Sequence, residues 1–231
     1  MASNNNISII SSMATRQVLS ELIAQFQRDS AQPVSLESVG GVDAAKRVQG
    51  GEAFDVVILA ANAIEQLTQA GRIVPGSRVD LVHSGVSVAV QAGAKRPDIS
   101  SEEAVRQAVL AARTLGYSTG PSGVHLTKLF ERWGIADAIK SRIVQAPPGV
   151  PVGSLVARGE VELGFQQLSE LIHQDGIDVL GPLPPAIQIN TIFSAGLSAT
   201  STQARAVRAL LDFMASPAAT DIKRRNGLEP A

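Results

Sequence analysis

The sequence contains no cysteine and few aromatic residues, and each absence excludes a class of function. Without cysteine there is no disulfide bond, no thiolate metal ligand and no cysteine nucleophile. Phe, Trp and Tyr make up only 3% of the 231 residues, so binding of nucleic acid by base stacking is not expected. The core must therefore be formed mainly by Ala, Val, Leu and Ile.

The sequence also lacks an excess of one charge and a long apolar run. Its 20 basic and 21 acidic side chains give a net charge of −1 and form no run of like charge, which again argues against a nucleic-acid partner. The apolar run at residues 7–10 is too short for a membrane span or a signal-peptide core, and residues 1–6 are polar. We therefore expect a protein that is not membrane-embedded, located in the cytoplasm or, if a leader has been removed, in the periplasm.

Motifs for metals and cofactors are missing as well. The three histidines and the carboxylates do not have the spacing of metal ligands. The glycine-rich turns match neither a P-loop nor a dinucleotide-binding fingerprint. The sequence thus predicts no metal site and no cofactor.

What the sequence does contain is a recurring order of apolar strand, turn of small residues and amphipathic helix. The strand at residues 7–10 is followed by a serine-containing turn at 11–15 and then a helix. The strand at 34–39 is followed by two glycines and by a helix for which Asp43 is the predicted cap. Such alternation predicts an α/β protein with parallel sheets covered by helices.

Residues 117–133 show the same order most clearly. An apolar run ends at Tyr117, small hydroxyl and glycine residues follow, and an amphipathic helix begins there. Backbone N–H groups and hydroxyls gather at such a helix N-terminus, where an anion can bind. We expect the turns of this kind to bind one ligand.

The order and spacing of several short segments indicate a family. These segments are Ser11-Ser12-Met13-Ala14, Phe54-Asp55-Val56-Val57-Ile58, Gly71-Arg72-Ile73-Val74, Gly120-Pro121-Ser122-Gly123, residues 156–164 and Ser216-Pro217-Ala218-Ala219. Taken together they resemble the type II periplasmic solute-binding proteins, most nearly the branch that contains the molybdate-binding proteins. The resemblance covers nearly the whole chain.

The resemblance implies a fold, a domain organisation and a partner. The expected fold is α/β, with two doubly wound α/β domains joined by two crossing strands. The first domain would comprise residues 1–83 and 190–231, and the second residues 84–189, with the ligand cleft between them. The implied function is binding of a small anionic solute, and the implied protein partner is the membrane component of an ABC transporter.

Residues at the strand-to-helix turns, with His83 at an expected crossing, are the candidate ligand contacts. They are Ser11, Ser12, Thr15, Arg16, Gly40, Gly41, His83, Ser118, Ser122, Gly123, Val150, Gln166 and Gln167.

Several candidates have a second interpretation. The hydroxyl residues of the first turn could be N-caps of the helix instead of ligand donors, and Arg16 could be solvated instead of bound to a carboxylate. Gly40 and Gly41 could allow close approach of a ligand or only a left-handed turn. Because neighbouring strand residues point to opposite faces, Gln166 and Gln167 cannot both face the ligand.

Two positions depart from the molybdate-binding pattern. The second turn, where that pattern has serines, is Val39-Gly40-Gly41-Val42 and offers only N–H groups. The tyrosine expected after the later strand is replaced by Gln167 or its neighbour. Amide side chains, with Arg16 and His125 nearby, suit a planar carboxylate better than a tetrahedral oxyanion. We therefore expect a di- or tricarboxylate ligand, with molybdate or another oxyanion as an alternative.

The same branch includes aconitate isomerase, which moves an allylic proton to interconvert trans- and cis-aconitate. An isomerase of this type is therefore the main alternative to a binding protein. His125 is the first candidate base, because a position in the first turn of its helix favours the neutral imidazole. An ordinary surface histidine is the competing interpretation, and Glu170 is a second candidate acid or base.

Overall fold

The computed structural model describes residues 6–147 and 149–231. The chain divides into two compact units. Unit 1 comprises Met1–His83 and Ile192–Ala231, and unit 2 comprises Ser84–Thr191. Within the described residues, no helix is long and apolar enough to cross a membrane.

Strands and helices alternate along most of the chain, as the sequence pattern predicts. In chain order they are β1 (Ile7–Ser12), α1 (Arg16–Ser30), β2 (Val34–Val39), α2 (Gly41–Gln49), β3 (Val56–Ala60), α3 (Ala61–Gln69), β4 (Val79–Gln91), α4 (Glu102–Ala111), β5 (Leu115–Tyr117), α5 (Pro121–Arg132), α6 (Ala136–Ile139), β6 (Ile143–Gln145), α7 (Val152–Ala157), β7 (Leu163–Gln167), α8 (Leu168–Leu171), β8 (Ile177–Pro182), β9 (Asn190–Leu197), α9 (Ala204–Ala215), α10 (Thr220–Arg225) and β10 (Glu229–Pro230). The chain passes from one unit to the other twice, within β4 and within β9.

Unit 1 has a sheet with the strand order β2-β1-β3-β9. β1 is parallel to β2 and β3, whereas β3 is antiparallel to β9. Ile9 and Ile58 pack with residues of α1 and α9, whereas Ile10 and Val57 pack with residues of α2 and α3. Helices thus cover both faces of the sheet, which is why β3 is apolar at every position.

Unit 2 has a second sheet, in which β4 from Ser84 onward pairs with β7, β7 with β5, and β5 with β6. β5 is parallel to β6 and β7, and β4 is antiparallel to β7 and β8. One face packs against α4, α5 and α6, and the other packs against α7. A Cβ on Gly164 of β7 would lie 2.5 Å from Val156 Cγ2, so this glycine allows α7 to pack closely on the sheet.

Candidate functional site

The carboxyl ends of β1, β2 and β3 lie at one edge of unit 1. Because these strands are parallel, Ser12 is the register partner of Val39, and Ser11 is the partner of Ile58. Each strand is followed by a helix: α1 after a short turn at Met13–Thr15, α2 after the single residue Gly40, and α3 directly. The free N–H groups of these helix starts are therefore at the same edge as the two serines.

Ser12 has a buried hydroxyl that no described residue uses. The residue is 6% exposed, and its Oγ has no hydrogen-bond partner in residues 6–147 and 149–231. The neighbouring hydroxyls are engaged, because Ser11 Oγ lies 2.8 Å from Ser38 Oγ and Thr15 Oγ1 donates to the Ser12 carbonyl oxygen at 3.1 Å. Neither Ser12 nor Thr15 caps a helix with its side chain. Ser12 is thus the hydroxyl of this turn that a ligand can use.

Gly40 and Gly41 form the start of α2 itself. The helix begins at Gly41, and Ala44 N donates to the Gly40 carbonyl oxygen at 2.9 Å. Asp43, the predicted cap, is instead in the first turn, where a carboxylate interacts favourably with the helix dipole. Gly40 has φ −54° and neither glycine has a positive φ, so a left-handed turn is not the reason for these glycines. A Cβ on Gly41 would lie 3.5 Å from Ser12 Cβ, which places the helix start beside Ser12.

Arg16 is exposed at the start of α1, whereas His83 lies within β4. His83 is partly buried in β4, opposite Glu229 of β10. Asp80 has a pKa below its usual range, chiefly because Arg78 donates a hydrogen bond to it, with smaller contributions from Ser194 and His83. The structure therefore places His83 near an acid that is already paired.

The carboxyl ends of β5, β6 and β7 lie together at one edge of unit 2. Tyr117 is the register partner of both Gln145 and Phe165 in the parallel pairs. α5 follows β5, a proline-containing loop and α7 follow β6, and α8 follows β7 directly. Pro148 of this loop lies outside the described residues.

The turn between β5 and α5 requires glycine at residue 123. A Cβ on Gly123 would lie 1.8 Å from the Ser118 carbonyl oxygen, so any larger residue would collide with the turn. Ser122 is 3% exposed, and Ser118 Oγ accepts a hydrogen bond from Gly120 N at 3.4 Å. Ser118, Ser122 and Gly123 are thus brought together at the start of α5.

His125 lies on the exposed side of α5. It is the fifth residue of the helix and therefore lies just beyond the first turn in which the sequence places it. The buried side of the helix is formed by Ser122, Gly123, Leu126, Leu129 and Phe130, whereas His125 and its neighbour Val124 are exposed. His125 is thus exposed at the border of the packed face, since Ser122 and Leu129, three residues before it and four after it, are buried.

Val150 belongs to the loop before α7. Its side chain packs with a small apolar cluster that includes Val152 and Val156, and its N–H donates to the Pro147 carbonyl oxygen at 3.0 Å. The backbone N–H of Val150 is therefore already bonded.

Gln166 is held from both sides within unit 2. Its Oε1 accepts a hydrogen bond from Gly153 N, near the start of α7, at 3.1 Å. Its Nε2 donates to Glu170 Oε1 at 2.8 Å. Part of Glu170 is exposed, but burial of its carboxyl group raises the pKa of this residue to about 7. The hydrogen bond from Gln166 opposes that shift. Gln166 is thus occupied, and Glu170 can exchange a proton near neutral pH.

Gln167 has an amide that is only half used. Its Nε2 donates to Thr191 Oγ1 at 3.1 Å, while its Oε1 is buried and has no partner among the described residues. The two glutamines therefore have different partners, in agreement with their alternation along β7. Of the two, Gln167 has a group left for a ligand.

Some polar groups near these turns were not singled out by the sequence pattern. Besides Ser12, the buried hydroxyls without a partner in the described part of the chain are those of Ser84, Ser87 and Ser169. Single serines inside a strand or helix give no sequence signal. The sequence pattern could have identified the start of α3 as a further candidate binding turn, because β3 and α3 repeat the order of strand and helix.

A resident metal ion has no evident ligands in the described part of the chain. Across residues 6–147 and 149–231, no three His, Asp or Glu side chains lie close enough together to hold one. The arrangement at both edges consists mainly of hydroxyl, amide and backbone N–H groups. Such groups can bind an anion without a metal.

Comparisons with known sequences identify a matching family and related proteins. The profile of the family described as bacterial extracellular solute-binding protein matches residues 7–229. The chain is 40% identical over 187 residues to aconitate isomerase of Pseudomonas sp., covering 80% of this chain and 70% of that protein. It is 27% identical over 222 residues to the molybdate-binding protein ModA of Azotobacter vinelandii, covering 90% and 84% of the two chains.

Solved structures confirm the fold. The periplasmic molybdate-binding protein of Azotobacter vinelandii superposes with a TM-score of 0.79 at 22% identity, over 96% of this chain and 98% of that chain. A substrate-binding domain of a molybdenum ABC transporter from Clostridium difficile superposes with a TM-score of 0.75 at 14% identity, over 98% and 99%. The fold is that of the type II periplasmic binding proteins, with doubly wound α/β domains, as the sequence predicts.

Proposed function

The chain belongs to the bacterial extracellular solute-binding protein family, and on this basis we propose that it binds a di- or tricarboxylate. The observation on which the proposal mainly depends is the buried, unpaired hydroxyl of Ser12 beside the start of α2. A hydroxyl and adjacent N–H groups are donors, and donors hold a carboxylate with charge-assisted hydrogen bonds. We further propose a periplasmic location and an ABC-transporter membrane component as partner, since these are the usual setting of the family.

Unit 2 has proposed anion contacts of its own. Ser122 and Gly123 lie at the buried start of α5, whose first N–H groups have no partner within the helix. Gln167 has an amide group whose free end can bond a ligand, because the Thr191 hydroxyl can pair with either end of the amide. A planar amide at this position suits a planar carboxylate.

Binding of molybdate or another oxyanion is an alternative that the 27% identical molybdate-binding relative supports. Two features make it the weaker proposal. The second turn is Gly40-Gly41 and has no hydroxyl, and Gln167 or its neighbour Gln166 stands where the resemblance expects a tyrosine. A tetrahedral oxyanion would therefore be held by fewer hydroxyl groups than in the pattern of the molybdate-binding branch.

A thermal-shift panel tests the class of ligand. Wild-type protein is heated with tricarboxylates, dicarboxylates, molybdate, sulfate or phosphate, since a ligand that binds the native state raises the melting temperature. We expect stabilisation by one or more carboxylates. Stabilisation by molybdate alone would contradict the proposal.

Isomerisation is a second candidate function, and the 40% identical relative named aconitate isomerase favours it. In the proposed step a C–H bond beside a carboxylate breaks, and its electron pair spreads over three carbons. A new C–H bond then forms two carbons away, so no oxidant or cofactor is consumed. Glu170 is suited to exchanging the proton because its pKa is raised to about 7, while the exposed His125 is the other candidate.

Incubation with trans-aconitate in deuterium oxide, followed by NMR, separates the enzyme from the binding protein. Interconversion or deuterium incorporation would support the isomerase, and its loss in Glu170→Gln or His125→Ala would identify the group that moves the proton. Saturable binding of aconitate without either signal would exclude this second candidate.

A further inference from the structure

A single side chain links the acid of α8 to the start of α7. Gln166 Nε2 donates to Glu170 Oε1, and Gln166 Oε1 accepts from Gly153 N. Gly153 is the second residue of α7, and Gln166 is the last but one residue of β7. The Glu170 carboxyl group is therefore tied to the turn that contains the proposed contact Gln167.

Among the described residues, no opposite charge contributes to the pKa of Glu170. β7, α7 and the part of β4 that follows Ser84 have no ionisable side chain. In β8, Asp178 accepts a hydrogen bond from Gly93 N at 3.2 Å, and His173 and Asp175 follow α8 without contributing to the Glu170 pKa. Within the described residues, only burial and the bond from Gln166 shift that pKa. An ionised Glu170 thus has no cation to stabilise it.

Unpaired polar groups lie along the same strands. Ser87 is the register partner of Gln166 in the antiparallel pair of β4 and β7, so their side chains lie on the same face. The buried hydroxyls of Ser87 and Ser169 and the Gln167 Oε1 have no partner in the part of the chain that the structure describes. The Ser87 hydroxyl, which lies on the Gln166 face, can accept a hydrogen bond from a neutral acid or from a water molecule.

We infer that Glu170 takes up a proton when the ligand binds, so that anion binding at the end of β7 is coupled to proton uptake. The inference rests on the proposed binding of a di- or tricarboxylate. The proton comes from solvent and forms an O–H bond on Glu170 Oε2, the oxygen that Gln166 does not contact. Gln167 directly precedes α8, and Glu170 lies in the first turn of that helix, so an anion bound beside Gln167 adds negative charge within a few residues of this carboxyl group and favours the neutral acid. By linkage, affinity for the anion then falls as the pH rises above neutrality.

Calorimetric titration with propane-1,2,3-tricarboxylate tests the coupling. This saturated acid has no double bond and cannot undergo an allylic shift, so only binding is measured. Titrations at pH 7.5 in two buffers of different ionisation enthalpy give the number of protons taken up. We expect the wild type to take up roughly half a proton or more per ligand bound. In Glu170→Gln, which keeps an oxygen for Gln166, the number of protons taken up should be smaller by the same amount. Between pH 7.5 and 8.5, affinity should fall up to roughly tenfold in the wild type but not in Glu170→Gln.

Glu160→Gln is the matched control, because Glu160 is exposed and pairs with Arg158 at 2.6 Å. It should take up as many protons as the wild type. The protons of the ligand itself are common to all three proteins and cancel in the comparison. Equal uptake by wild type and Glu170→Gln would overturn the inference and leave the proposed function standing. Near-zero uptake by the wild type would overturn it without any variant, whereas failure of every carboxylate to bind would contradict the proposed function itself.

Discussion

The end of β1 in unit 1 and the end of β7 in unit 2 are both followed by turns with buried polar side chains. Of the two, only the turn after β7 is next to an acid with a pKa near neutrality, Glu170. At β1, Ser12 offers an unpaired hydroxyl, and its neighbours are joined by hydroxyl and carbonyl hydrogen bonds. At β7, Gln166 is bonded on both sides, and Glu170 has a pKa of about 7. We therefore expect the first turn to bind an anion equally well across neutral pH, and the second to respond to pH.

The two helix starts also differ in how strictly they need glycine. Gly123 approaches the Ser118 carbonyl oxygen so closely that no Cβ fits, whereas Gly41 has room for one beside Ser12. A glycine in a ligand-binding turn is thus not always required by the backbone. The distance to the nearest atom decides whether it is.

The largest expected effect comes from comparing these glycines directly. Gly123→Ala should lower the free energy of unfolding by about 3 kcal/mol, because the added methyl group collides with backbone that cannot move away. Gly41→Ala, the matched control, should change it by less than about 1 kcal/mol. Urea unfolding followed by circular dichroism measures both. Equal effects would contradict the assigned difference between the two turns.

The next effect is the pH dependence contributed by Glu170. Its pKa is raised in the folded state, so its stabilising contribution is fully present below the unfolded value of 4.5 and is lost as the pH rises through about 7. The free energy of unfolding of the wild type should therefore fall, relative to Glu170→Gln, by about 3 kcal/mol between pH 4.5 and 8. Chemical unfolding at several pH values measures this difference. A difference that does not change with pH would show that burial does not act on Glu170.

Ser12→Ala should weaken binding without weakening the fold. Loss of a hydrogen bond to a charged ligand costs about 1.5 to 3 kcal/mol, or roughly 10- to 100-fold in affinity. The melting temperature of the free protein should not fall, since the hydroxyl has no partner to lose in the described structure. Ser20→Ala is the control, because Ser20 is an exposed residue that donates to the Arg16 carbonyl oxygen. Equal affinities of the two variants, measured by calorimetry, would remove Ser12 from the site.

The smallest effect is expected on the exposed side of α5. His125→Ala should change the free energy of unfolding by less than about 0.5 kcal/mol and leave the affinity for propane-1,2,3-tricarboxylate within about twofold. The physical reason is that the His125 side chain is exposed and does not belong to the buried face of its helix. A tenfold loss of affinity would instead place His125 in contact with the ligand.

The sequence was sufficient to predict the fold class because strands, small-residue turns and helices alternate with regular spacing. It was also sufficient to identify the edges at which Ser12, Ser122 and Gln167 lie, since parallel strands end at one edge of a sheet. It did not predict that α2 begins at Gly41, because glycine has no capping side chain and Asp43 is the stronger sequence signal.

Other details depend on contacts between segments far apart in sequence. The different partners of Gln166 and Gln167 arise from Gly153 and Thr191, which local periodicity cannot place. The raised pKa of Glu170 arises from burial without a nearby cation, which composition does not reveal. Isolated residues such as Ser87 have no motif at all, and only the pairing of β4 with β7 shows their position.

Competitive calorimetry on the wild-type protein tests the central proposal most directly. The protein is titrated with propane-1,2,3-tricarboxylate alone and again in the presence of excess molybdate. We expect saturable binding of the tricarboxylate that molybdate does not reduce. Binding of molybdate with no detectable heat from the tricarboxylate would contradict the proposal that this protein binds organic anions.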